Sequence, residues 1–123
     1  MALRKVNLAE AFNQFSDHWS PRVAGDINDF QVKLVKVSGS FHWHHHETED
    51  ELFLVVQGHL RMHLRDGAID LGPNEFLIVP HGVEHRPESI DGECQLLLLE
   101  PNTTLNTGTV ENERTVREPR RLS

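Results

Sequence analysis

From Phe30 to Leu99 the chain is cut into short apolar or alternating runs by Gly, Pro, Asn and Asp, at intervals of roughly eight to twelve residues. Such punctuation suits a small antiparallel barrel or jelly roll. The clearest run is His59–Arg65, in which Leu60, Met62 and Leu64 take one face and His59, Arg61, His63 and Arg65 the other. That alternation describes a half-buried strand. Asp66-Gly67 follows it directly and is a hairpin turn signal. Phe30–Val37, rich in Val and Leu with interspersed Lys, reads as another strand, as do Leu52–Val56, Phe76–Val79 and Gln95–Leu99.

The one helix expected lies near the start. Asn7 can cap it, Glu10 stands at its third helical position, and Leu8, Phe12 and Phe15 recur on one face. Ser20-Pro21 ends that reading and begins an irregular entry to the next element. The expected organisation is a single domain: helix and entry segment over 1–26, barrel over 27–110, and a polar tail over 111–123, draped on the surface or mobile.

With 123 residues the chain is long enough to bury a core without disulfides. Its single cysteine, Cys94, can form no internal disulfide, reads as a small buried hydrophobe beside Leu96–Leu99, and fits a reducing, cytoplasmic compartment. A net charge of −7 argues against sequence-independent nucleic-acid binding, which depends on Lys and Arg. No apolar run approaches the ~20 residues of a membrane span, and the N-terminus lacks the apolar stretch of a secretory signal.

The chemistry is concentrated in two stretches, Phe41-His-Trp-His-His-His46 running on to Glu51, and Pro80-His-Gly-Val-Glu-His85. Imidazole nitrogens with a carboxylate oxygen make a ligand set for a divalent transition metal. In a strand, residues two apart share a face. His42, His44 and His46 are therefore expected to point one way, with Phe41, Trp43 and His45 pointing the other. Spacing alone leaves Glu49, Asp50 and Glu51 open as the carboxylate, because Leu52–Val56 is apolar on both faces. His85 has to arrive from a distant strand. His59 and His63 read as outward strand residues, and His81 as a loop or pocket-rim residue.

These residues resemble the first motif of the cupin superfamily, here Gly39, His44, His46, Glu51 and Gly58. Pro80, Gly82 and His85 resemble its second motif, Pro-x-Gly-x-x-His. The spacing from Gly39 to His44 is one residue shorter than the family commonly has. Ser89 stands where an Asn is common, and Gly72-Pro-Asn-Glu75 replaces the usual Pro-Gly-Asp or Pro-Gly-Glu turn. The resemblance selects Glu51 and implies His44, His46, Glu51 and His85 as metal ligands inside an all-β double-stranded β-helix, or jelly-roll barrel. Trp19-Ser-Pro-Arg22, Asn28-Asp-Phe30 and Leu99–Gly108 further resemble small single-domain bacterial cupins of a mannose-6-phosphate isomerase-like group.

Three neutral imidazoles and a carboxylate leave a divalent ion with net positive charge and, at six-coordination, two open positions. Imidazole-rich ligation suits Zn, Fe, Ni, Mn or Cu. The expected function is a metal-dependent enzyme acting on a small oxygenated substrate, a sugar acid or hydroxy-carbonyl compound, by isomerase or lyase chemistry. His42 is its candidate acid/base, from its place two residues before His44. A dioxygenase and a non-catalytic small-molecule sensor are the alternatives. A homodimer is the family-derived expectation.

Overall fold

Two antiparallel sheets face one another in the computed structural model, which describes residues 3–122. The strands are β1 (Arg22–Ile27), β2 (Phe30–Val37), β3 (Glu51–Gln57), β4 (Leu60–Leu64), β5 (Gly67–Leu71), β6 (Phe76–Val79), β7 (His85–Ser89), β8 (Cys94–Pro101) and β9 (Arg120–Arg121). One sheet runs β6-β3-β8-β2-β1-β9, in which only the short β1–β9 contact is parallel; the other runs β5-β4-β7. Together they form a jelly-roll barrel, the all-β architecture expected. No helix among the described residues is long and apolar enough to cross a membrane.

Inward-facing side chains of both sheets make the main core. Val35 and Val37 of β2, Phe53 and Val55 of β3, Leu60 and Met62 of β4, and Cys94, Leu96 and Leu98 of β8 all contribute. Burial alternates residue by residue along β3 and β8, which resolves runs whose sequence is apolar on both faces. A second cluster forms outside the larger sheet, where Leu34 meets Ala11, Phe12 and Phe15.

The helix, α1 (Leu8–Phe12), is only five residues long. Asn7 caps it as expected, its Oδ1 accepting from the Glu10 amide at 3.0 Å. Phe15 is buried but lies beyond the helix C-cap at Asn13. Its burial comes from packing on Leu34, with Arg22 and Lys36 over its ring, rather than from helical periodicity. The hairpin after β4 turns through Arg65 and Asp66, with Leu64 paired to Gly67.

β1 occupies part of the stretch expected to be an irregular entry, and pairs with β2 through a bulge between Val23 and Gly25. The tail is draped, not detached. β9 lies parallel to β1, and the Leu122 amide donates to Val23 O at 2.9 Å.

Candidate metal centre

His44 and His85 are brought together by backbone pairing. Each amide donates to the other's carbonyl, at 3.1 and 2.9 Å, so the segment before β3 lies along β7 as an irregular edge. Its next bridge joins Ser40 to Glu88. Four steps separate Ser40 from His44, but only three separate His85 from Glu88, so the histidine segment carries one extra residue. An extra residue in one partner is a β-bulge, and it reverses side-chain parity across itself.

That bulge corrects the expected alternation. Phe41 is buried with His44, in edge contact at 5.3 Å between ring centroids, instead of facing away. Trp43 lies outside, with the Arg65 guanidinium 3.9 Å from its ring. His42, the candidate acid/base, is only partly buried and does not line the cavity described below. Its ring lies against Phe41, and its Nδ1 is 3.4 Å from Asn112 Nδ2. Its ring centroid is 5.4 Å from that of His44, and its Nε2 is buried without a hydrogen-bond partner.

Beyond the bulge the reading holds: His44 and His46 point inward and meet His85. One ligand atom from each of the three lies within 4.8 Å of the others, and all three residues are buried. Glu51, the first residue of β3, comes alongside, its Oε1 3.2 Å from His46 Nε2 and 3.8 Å from His85 Nε2. Its acidic neighbours are engaged elsewhere. Glu49 Oε2 accepts from Thr103 Oγ1 at 2.8 Å, and Asp50 accepts from the His81 backbone and ring.

The site passes a physical test for a metal. His85 Nδ1–H donates to Val83 O at 2.9 Å, and His44 Nδ1–H to His42 O at 3.1 Å. Each bond fixes the tautomer and leaves the Nε2 lone pair free, which is how ligating imidazoles are oriented. His46 Nε2, His85 Nε2 and Glu51 Oε1 are buried and make no satisfactory hydrogen bond. Stranding three such atoms together costs free energy unless something binds them. A borderline-soft divalent ion fits that donor set.

The outward histidines behave as expected. His63 pairs with Glu88 at 2.7 Å and His59 approaches Asp70 at 3.4 Å, while His81 sits at the surface with Asp50.

One supporting group escaped the sequence reading. Glu100 of β8 and Lys33 of β2 are both buried on the inward face, with Lys33 Nζ 2.9 Å from Glu100 Oε1. Glu51 lies one step beyond the Leu52–Leu99 pair of β3 and β8, which brings it opposite Glu100. Burial, then the adjacent Glu51 charge, pushes the Glu100 carboxyl well above the usual range. Burial also opposes the Glu51 charge, but Glu100, His46 and His85 outweigh it and hold Glu51 low. The two carboxyls thus oppose each other's charge, and Glu100 is the more readily protonated of the two.

Burial, then the neighbouring His85, pushes the His44 imidazole down to about 3. A histidine with a depressed folded pKa is protonated first in the unfolded chain. The metal-free protein is therefore expected to lose stability as pH falls below about 6.5, and to go on losing it until about 3. Urea midpoints measured across that window in chelator should show the slope, and His44→Gln should flatten it.

The segment after β8 braces the candidate ligands from outside. Gly108 has φ +63°, and a β-carbon there would come within 2.2 Å of His45 O and 3.2 Å of His44 Cδ2. Thr109 N donates to His45 O at 3.2 Å. Gly108→Ala is expected to destabilise the fold by roughly 1–3 kcal/mol, the usual result of forcing atoms into a packed site. Thermal unfolding checks this.

Beside the candidate ligands lies a pocket open to solvent. His44, Glu51 and Glu100 lie in its wall, together with Phe41, Phe53, Leu96 and Leu98.

The Cupin domain family profile matches residues 31–100. A cupin-2 domain containing protein from Shewanella frigidimarina, solved by crystallography, superimposes with a TM-score of 0.76 at 45% identity, over 78% of this chain and 93% of that one. Protein YdbB of Bacillus subtilis is 33% identical over 84 residues, covering 68% of this chain and 74% of that protein. Homogentisate 1,2-dioxygenase of Rhodopseudomonas palustris is 34% identical over 82 residues, which span 63% of this chain but only 18% of the enzyme. The profile match, these similarities and the two-sheet barrel all agree: the chain belongs to the cupin family.

Proposed function

We propose that this cupin is a metal-dependent enzyme acting on a small oxygenated substrate by isomerase or lyase chemistry, with His44, His46, Glu51 and His85 as the metal ligands. The observation that carries the proposal is the convergence of three buried, unsatisfied ligand atoms, His46 Nε2, His85 Nε2 and Glu51 Oε1, beside an open cavity. When bound, a divalent transition ion supplies Lewis-acid polarisation of a substrate oxygen.

The remaining work falls to the chain. The Val83 and His42 carbonyls hold two imidazoles in the ligating tautomer. Phe53, Leu96 and Leu98 supply apolar wall beside the candidate ligands. Glu100 joins His42 as an acid/base candidate, because it lines the cavity beside Glu51 and is backed by Lys33. Anaerobic turnover of hydroxy-carbonyl compounds by metal-loaded protein supports this reading.

A second reading, oxygen chemistry, is favoured by the similarity to homogentisate 1,2-dioxygenase. Oxygen uptake during turnover would replace the first reading with this one. Ligand binding without turnover under either condition would assign the protein as a sensor. A homodimer belongs to the same proposal. β5 and β6 are open sheet edges, and Ile69, Phe76 and Ile78 are exposed on them. Light scattering should return twice the chain mass.

A further inference from the structure

The cavity wall restricts what can reach the candidate metal centre. Nine of its thirteen lining residues are apolar. They include Trp19 and Phe41, whose rings stack at 4.7 Å. The four polar ones are His44, Glu51, Glu100 and Asn106. Asn106 is already engaged: its Nδ2 donates to Arg114 O at 2.7 Å and its Oδ1 accepts from Val116 N at 2.8 Å. Polar contacts for a ligand are thus gathered at the end where the two carboxyls and His44 lie. Elsewhere the wall offers hydrocarbon and aromatic surface.

Charge narrows the class further. The lining contains no Lys or Arg among the described residues. Lys33 is bonded to Glu100. Arg114 lies 5.4 Å from the Trp19 and Phe41 ring centroids, with its Nη1 donating to Ser40 O at 3.0 Å. A phosphate would enter a wall that provides two carboxyl groups and no cationic side chain to receive it. Burying such an anion unpaired is strongly unfavourable. A polyhydroxylated body fares poorly too, since each hydroxyl set against the apolar wall loses its hydrogen bonds to water without replacement.

We infer that the cavity takes a compact, unphosphorylated hydroxy-carbonyl compound with a flat apolar body, its two oxygens directed to the His44–Glu51–Glu100 end and its body against the apolar wall. This rests on the metal-centre reading above and selects the hydroxy-carbonyl branch over sugar acids and sugar phosphates.

The test uses the full chain loaded with Co(II) and three probes sharing one chelating group: 2-hydroxyacetophenone, dihydroxyacetone and dihydroxyacetone phosphate. Co(II) uptake is read first, from the visible spectrum without a probe, and binding then by calorimetry and the spectral change. The phenyl ketone is expected to bind at least about tenfold more tightly than dihydroxyacetone, from the apolar area its ring buries. The phosphate should bind no better than dihydroxyacetone. Trp19→Ala should reduce the phenyl preference, which localises binding to this cavity. Uptake of Co(II) followed by equal binding, by tighter binding of the phosphate, or by no binding of any probe overturns the ligand class while leaving the metal centre standing. Failure to take up Co(II) overturns both.

Discussion

His85→Ala is expected to abolish stoichiometric binding of divalent transition metals, and His46→Gln to do the same. Both residues present a buried Nε2 with no hydrogen-bond partner, within reach of Glu51 Oε1. Losing a ligand should exceed the roughly 10–100-fold loss that follows removal of a residue merely supporting one. His63→Ala is the control. It faces outward in a pair with Glu88 and should leave metal binding unchanged. Titration with a competing chromophoric chelator measures all three variants. Equal affinity in His85→Ala and wild type would remove the ligand assignment.

Glu100→Ala is expected to give a large loss of stability, roughly 1–3 kcal/mol or more, because it leaves the buried Lys33 ammonium without its hydrogen-bond partner. Lys33 and Glu100 are 2% and 1% exposed, so water cannot readily take over from the missing group. The paired replacement Lys33→Met with Glu100→Leu should recover most of that loss, since replacing both partners of a buried hydrogen bond by apolar groups of similar shape is commonly near neutral. The double variant should nevertheless lose activity if Glu100 serves the cavity. Denaturant midpoints separate the two effects from activity. A Glu100→Ala protein as stable as wild type would show that the pair does not support the barrel.

The legible parts of the fold were those where one face of a strand is polar. The alternation of His59–Arg65 placed β4 and its inner residues correctly, because Leu60 and Met62 had no apolar neighbours to confuse the pattern. β2 and β8 were legible as strands but not as faces. Lys33 shares parity with Val35 and Val37, and Glu100 with Leu96 and Leu98, so both charges point inward. Apolar residues on the opposite faces, Leu34, Leu97 and Leu99, concealed that pattern.

The histidine segment failed for a different reason. Strand parity presumes an unbroken ladder, and the extra residue between Ser40 and His44 breaks it. Phe41 therefore turns inward, while the His42 ring stays 5.4 Å from that of His44 without lining the cavity. Downstream of the bulge, the pairing of His44 with His46 survives. The choice of Glu51 over Glu49 and Asp50 was not available from spacing; it follows from where β3 begins and from the Thr103 and His81 partners of the other two acids. The shortness of α1 was likewise hidden, because Phe15 satisfies a helical pattern while being buried from a non-helical segment.

Elemental analysis of protein purified anaerobically, followed by loading with Zn, Fe, Ni, Mn or Cu, tests the central claim most directly. One transition-metal ion per chain, lost on His44→Ala, is the predicted result. A chain that holds no metal after purification and takes none up on loading would contradict the account.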